Sequence, residues 1–235
     1  MHSKPISPAA SSAYRALIFD FEGTLVDFQW QLEPAEAELR SAFAELGFAG
    51  DDFAHGNYAT MWNAAADSLA PQGRMAELRR ALSPIYDRWD FDALKRWAPR
   101  PGAAELLRRF AAGGLLVGMV SNVGRGALAG ALQRFDFARC LSPVVSRDDV
   151  STMKPSAEGI LRVLSEWHFA ADEVLFVGDS RADVFGARAA GLPVAIIRGG
   201  ECDETAFAEH PPDYMISQLG ELVDLPLDGF LPGTR

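Results

Sequence analysis

Polar residues with catalytic capacity recur in this chain where apolar runs stop. The run Ala16-Leu17-Ile18-Phe19 ends on Asp20, with Glu22, Gly23 and Thr24 close behind. The run over 174–177 ends on Gly178-Asp179-Ser180, with Asp183 one turn on, and two further runs lead to Ser121-Asn122 and to Lys154-Pro155. Carboxylates are costly in a core, and the carboxyl end of a buried strand in an α/β protein is where ligands bind. Asp20, Asp179 and Asp183 are hard oxygen donors of the kind Mg²⁺ takes, and clustered carboxylates repel one another without such a cation. An Asp oxygen left free can attack phosphorus in line, giving an aspartyl-phosphate that divides one hard step into two. Ser121 and backbone amides near Asn122 suit the oxygens of a transferring phosphoryl group, and Lys154 suits the charge on phosphate and nucleophile. Glu22 is placed to protonate a leaving alcohol and then to activate water. A phosphate ester is the substrate for which each of these residue types has work.

These residues can act together only if the elements bring them to one edge. From Pro101 onward, helices expected over 102–112, 126–135, 156–168 and 181–190 alternate with strands over 115–120, 143–146, 174–177, 194–197 and 214–216, and a last helix is expected over 218–225. That alternation predicts right-handed βαβ units and a doubly wound parallel sheet covered on both faces, with all four groups at its carboxyl-terminal edge. Between 28 and 97 the pattern is helical instead. Leu32, Leu39, Phe43 and Leu46 recur at helical spacing between Pro34 and Gly47. Helical segments over 51–69 and 74–97 follow, broken at Ala70-Pro71-Gln72-Gly73 and at Pro84, with Trp62, Trp89 and Trp97 as packing anchors. The expected organisation is a disordered leader over 1–13, an α/β core from 14–27 and 98–235, and a helical cap over 28–97 inserted after the first strand.

The 235 residues, 49% of them hydrophobic, suffice for a sizeable core. A net charge of −10 with no long Lys/Arg block argues against nucleic acid or an anionic membrane surface as partner. No apolar run approaches the roughly 20 residues that cross a bilayer, and the first residues lack the apolar middle of a signal peptide. Cys140 and Cys202 lie far apart without CxxC spacing, and His2, His55, His168 and His210 are scattered, so neither a zinc site nor a disulfide framework is suggested and a reducing cytoplasm is expected. The pattern carries no signal for oligomeric state. Gly124, Gly126 and Gly130 follow GxGxxxG rather than the dinucleotide spacing GxGxxG, and are expected to let a helix start approach the phosphate pocket and pack on the sheet. Lys154 is one of three lysines, with Lys4 and Lys95, among 22 basic residues, which points to a need for a compact charge. Thr24, Ser121, Asn122 and Arg125 are the substrate-binding candidates. Arg74 and Arg88 are further cations that can reach an anionic tail, and Phe28 and Trp30 are expected to pack at the junction.

Asp20-Phe21-Glu22-Gly23-Thr24, Ser121-Asn122, Lys154-Pro155 and Gly178-Asp179-Ser180-Arg181-Ala182-Asp183 resemble, in order, the four motifs of the haloacid dehalogenase (HAD) superfamily. The insert between the first two resembles the cap of its subfamily I phosphatases, such as phosphoglycolate phosphatase. The resemblance implies a Rossmann-like core, Mg²⁺, Asp20 as nucleophile, the backbone carbonyl of Glu22 as a metal ligand beside Asp179 and Asp183, and a cap that opens and closes over the substrate.

One departure stands out. Most phosphatases of the superfamily carry Asp where this chain has Glu22, while enolase-phosphatases resemble it in having Glu. The extra methylene moves the carboxyl by about one bond length, and a shift of about 1 Å in a catalytic group can cost up to about 10²-fold. The reference pKa of Glu is close to that of Asp, which keeps Glu22 the acid/base candidate. Dehalogenating relatives lack the second acidic residue, and phosphonatases carry a small residue there and a cap lysine; Lys95, the lysine of the insert, is expected on a solvated helix face. The expected activity is Mg²⁺-dependent hydrolysis of a small phosphorylated metabolite. A weakly active phosphate-binding regulator, or a related hydrolase or phosphomutase with the same nucleophile, are the alternatives.

Overall fold

Side-chain alternation along the strands sorts the core of the protein into two layers. In β1 (Ala16–Phe19), Ala16 and Ile18 enter one apolar cluster while Leu17 and Phe19 enter the other, all fully buried. The computed structural model describes residues 13–228; the leader expected over 1–13 lies, apart from Ala13, outside the described residues.

After β1 the chain makes four helices, α1 (Leu32–Glu45), α2 (Asp51–Ala54), α3 (Tyr58–Leu69) and α4 (Met75–Leu94). The segment expected as one helix over 51–69 is split, because Asn57 accepts from the backbone amides of Ala59 and Thr60 at 3.1 and 2.9 Å and starts α3 afresh. Pro84 does not break α4. A proline inside a helix costs about 3 kcal/mol or more, but Leu78, Leu82, Tyr86, Asp90 and Ala93 form one buried stripe across it. Burial of each large apolar side chain is worth about 1.5–3 kcal/mol, which outweighs the local penalty.

The rest of the chain alternates as expected: α5 (Ala103–Ala112), β2 (Leu116–Val120), α6 (Arg125–Arg134), β3 (Val144–Val145), α7 (Glu158–Trp167), β4 (Val174–Gly178), α8 (Arg181–Ala189), β5 (Val194–Ile197) and β6 (Tyr214–Ile216). The helix expected over 218–225 is a 3₁₀ segment, Leu219–Asp224. All strands pair in parallel, in the order β3-β2-β1-β4-β5-β6. Helices α5 and α6 pack on the Leu17/Phe19 side, with the helical insert in the same cluster; α7 and α8 pack on the Ala16/Ile18 side.

The chain leaves β1 outward through β2 to β3, then returns to β4 on the other side of β1. Connections that leave two neighbouring strands in opposite directions open a crevice at their carboxyl ends. Phe19 lies opposite Val177 and the Asp20 amide donates to the Val177 carbonyl at 2.8 Å, so Asp20 and Asp179 emerge into that crevice almost level. Of the glycines in the GxGxxxG stretch, Gly124 lets the start of α6 approach Arg147 and Asp90 beside a cavity, as expected, whereas Gly126 and Gly130 serve a different contact. A Cβ at Gly126 would meet the Phe91 ring, and one at Gly130 would meet Leu94, so these small residues admit α4 against α6 rather than α6 against the sheet. No helix among the described residues is long and apolar enough to cross a membrane.

Candidate active site

Three carboxylates meet at the crevice. Asp20, Asp179 and Asp183 are 7%, 1% and 1% exposed, and each offers an oxygen within 4.8 Å of the others. Asp20 and Asp179 follow β1 and β4 directly; Asp183 is the third residue of α8, whose N-cap Ser180 accepts from the Asp183 amide. Lys154 reaches them from the β3–α7 segment, its Nζ donating to Asp20 Oδ1 at 2.5 Å and to Asp183 Oδ1 at 2.6 Å. One ammonium against three carboxylates leaves the cluster two negative charges in excess. Buried, oxygen-only and over-charged, it is a donor set that fits Mg²⁺.

The titration behaviour expresses that excess. Burial pushes Asp20 up to about 6, with Lys154 opposing and Asp183 adding to the rise. Burial, then the charges of Asp183 and Asp20, hold Asp179 well above the usual carboxylate range. Burial disfavours the Lys154 ammonium, but Asp183 and Asp20 outweigh it and keep the group charged.

The supporting shell is dense. Asp183 Oδ2 accepts from the amides of Asp179 and Ser180 and from Ser180 Oγ, at 2.8–3.1 Å. Thr24, expected on the substrate, is fully buried and donates instead to Asp179 Oδ1 at 2.9 Å and, more weakly, towards Asp20 Oδ2 at 3.4 Å. Gly23 has φ +82°, and a Cβ there would fall inside the Asp179 carboxylate, so this position needs glycine twice over. Asn122 borders the cavity, yet its side-chain amide holds Lys154: Oδ1 accepts from the Lys154 amide at 3.0 Å and Nδ2 donates to its carbonyl at 3.1 Å. Ser121 is buried beside the cavity, with Oγ accepting from the Val123 amide at 3.2 Å.

Glu22 is held by one oxygen. Oε1 accepts from the amides of Gln29 and Trp30 and from Trp97 Nε1, at 2.7–2.8 Å, whereas Oε2 accepts no hydrogen bond among the described residues. Burial raises the carboxyl to about 8 against the pull of those donors, Trp97 foremost. A carboxylic acid protonated at neutral pH, at the edge of the cavity, can donate a proton.

The cavity lies over these groups. Besides Asp20, Glu22, Ser121, Asn122, Lys154 and Asp179, it is bordered by Phe28, Trp30, Tyr58 and Tyr86, and by Asp90, Arg147 and Glu201. Arg125 is not among them. Its side chain is 64% exposed and pairs with Asp149 at 2.6 Å, so at the first position of α6 this substrate-binding candidate lies at the surface, away from the other site candidates. Arg74 and Arg88 likewise pair on the surface, with Glu77 and Glu38. The sequence reading missed Arg147 and Glu201, each shortly after a strand, a position that flags them by the same logic as Asp20. Tyr58, Tyr86 and Asp90 carry no such signal.

Residues 14–191 match the family model of the haloacid dehalogenase-like hydrolases. The chain belongs to that family. It is 31% identical over 231 residues to the phosphoglycolate phosphatase of Salmonella paratyphi A, covering 89% of this chain and 91% of the relative. It is 29% identical over 230 residues to the phosphoglycolate phosphatase of Escherichia coli K12, with the same coverage. Among solved structures, a haloacid dehalogenase-like hydrolase from Bacteroides fragilis superposes with TM-score 0.64 at 23% identity, covering 89% of this chain and 99% of that one. A predicted phosphoglycolate phosphatase from Haemophilus somnus superposes with TM-score 0.64 at 20% identity, over 90% and 97%. These two likenesses are of fold. The family and its curated members make this chain a hydrolase of the phosphatase kind.

Proposed function

We propose that the protein is a Mg²⁺-dependent phosphatase acting on a small phosphorylated metabolite through an aspartyl-phosphate on Asp20. The observation that carries the reading is the placement of Lys154 2.5 Å from Asp20 within an acidic triad whose oxygens lie within 4.8 Å of one another. Asp20, Asp179 and Asp183, with the backbone carbonyl of Glu22, would hold the metal, which when bound neutralises carboxylate and phosphate charge. Asp20 attacks phosphorus, and Lys154 and the Ser121–Val123 backbone stabilise charge on the phosphoryl oxygens. Glu22, protonated at neutral pH, gives its proton to the leaving oxygen; the resulting carboxylate takes one from the water that hydrolyses the aspartyl-phosphate.

The helical insert over 28–97 borders the cavity through Phe28, Trp30, Tyr58, Tyr86 and Asp90, as a cap domain that opens and closes over the substrate would. A reducing cytoplasm suits Cys140 and Cys202, which are both free.

The test is hydrolysis of p-nitrophenyl phosphate by the full chain with and without Mg²⁺. Turnover that needs the metal and disappears in Asp20→Asn is the expected result. Phosphate binding without turnover would instead favour a regulatory protein.

A further inference from the structure

We infer that the phosphoester this enzyme cleaves has a leaving group without negative charge, an uncharged or cationic alcohol, and that a carboxylate-bearing ester such as phosphoglycolate is a poor substrate. The inference rests on the phosphatase reading above and names its substrate class.

A carboxylate tail desolvated among buried side chains needs a cation not already matched there. Among the described residues that border the cavity, only Lys154 and Arg147 are cationic. Lys154 is bound to Asp20 and Asp183. Arg147 is 1% exposed and faces two carboxylates of α4: Nη1 donates to Asp90 at 2.6 Å, and Nη2 donates to Asp87. Asp90 is itself 3% exposed and also accepts from Trp30 Nε1 at 3.1 Å and from the Gly124 amide at 2.9 Å, so it is fixed between insert and core.

Arg147 is thus over-matched before any substrate arrives. Its Nε has no partner among the described residues, but one N–H on a guanidinium facing two carboxylates does not make a carboxylate site. A tail carboxylate would have to take Arg147 from Asp90 and leave Asp90 buried without its counter-ion. The other borders offer a tail carboxylate no cation. Glu22 and Glu201 add carboxyl groups, and Phe28, Trp30, Tyr58 and Tyr86 offer aromatic surface, with the Trp30 and Tyr58 rings 4.8 Å apart. Aromatic faces and carboxyl acceptors suit an alkyl or aryl alcohol that carries hydroxyl or ammonium groups.

The experiment compares kcat/KM of the full chain with Mg²⁺ for 2-hydroxyethyl phosphate and 2-phosphoglycolate, esters of similar length that differ in tail charge, with p-nitrophenyl phosphate as reference. The neutral ester is expected to be favoured roughly tenfold or more, because like charges placed together are strongly disfavoured in an enclosed site. Equal or better use of 2-phosphoglycolate overturns the inference and leaves the phosphatase reading intact. Turnover of p-nitrophenyl phosphate with no use of 2-phosphoglycolate supports the inference, since p-nitrophenol is itself an uncharged aryl alcohol. Failure on all three esters overturns the phosphatase reading itself, and the inference with it. Asp90→Asn should shift the ratio severalfold towards the carboxylate ester by releasing charge on Arg147. If that variant does not fold, Asp87→Asn, at a side chain 43% exposed, makes the same test. An unchanged ratio in a folded variant rejects the Arg147 pairing as the cause.

Discussion

Asn63 and Met153 are joined by two hydrogen bonds: the Met153 amide donates to Asn63 Oδ1 at 2.7 Å, and Asn63 Nδ2 donates to the Met153 carbonyl at 2.8 Å. Asn63 lies on α3 of the helical insert, and Met153 immediately precedes Lys154. Asn122 grips the backbone of Lys154 in the same two-bonded way from the core. The Lys154 segment is therefore clamped from both sides, and one jaw belongs to the insert.

Removing that jaw should slow the chemistry. Asn63→Ala deletes two hydrogen bonds worth about 1 kcal/mol each, so a fall in kcat of about tenfold is expected with a smaller change in KM. Asn63→Asp keeps the acceptor and loses the donor, and should fall between. Steady-state kinetics on p-nitrophenyl phosphate checks both; wild-type kcat in a folded Asn63→Ala would show that the clamp does not position Lys154.

The alkaline limb of activity should report Glu22. Its carboxyl is raised to about 8, so the proton-donating form is lost, and kcat/KM falls, as pH climbs through that value. Glu22→Gln should lower turnover by about 10²–10⁴-fold. Trp97→Phe removes a donor that favours the carboxylate, so the pKa rises and the limb moves to higher pH. A limb that stays in place in Trp97→Phe assigns it to another group.

Metal binding should compete with protons. Burial raises Asp20 to about 6 and holds Asp179 well above the usual carboxylate range, so at about pH 5 these groups hold protons that a cation must displace. Apparent Mg²⁺ affinity should increase from about pH 5 to pH 7, with proton release visible by calorimetry in buffers of different ionisation enthalpy. Asp179→Asn should weaken binding at every pH in that window. A pH-independent affinity would contradict the assignment of these two carboxylates as ligands.

The Arg147–Asp90 pair joins insert to core and is buried on both sides, 1% and 4% by side chain. Arg147→Met leaves Asp90 without its counter-ion and should destabilise the fold by about 3–5 kcal/mol. Arg147→Met with Asp90→Asn removes the stranded charge and should recover a large part of that loss. Urea denaturation of the two variants measures the difference, and equal stabilities would mean that the pair contributes little.

What could be read from the amino-acid order was whatever local rules govern. Four apolar runs ending on Asp20, Ser121, the Lys154 segment and Asp179 declared a parallel sheet and the edge at which these groups meet, because a strand alternates every second residue and a charge at its end has one place to go. Contacts between distant segments obey no such local rule. Pro84 signalled a break that the buried stripe of α4 overrode. Gly126 and Gly130 signalled close packing without naming Phe91 and Leu94 as what they admit. Thr24 and Asn122 proved to hold Asp179 and Lys154 in position, and Arg125 turned outward. Tyr58, Tyr86 and Asp90 joined Arg147 around the cavity only because α3 and α4 dock across the crevice. Docking is fixed by the summed burial of many side chains far apart in the chain, so the candidate catalytic residues at strand ends were legible one by one, while the walls of the cavity emerged only when the layers came together.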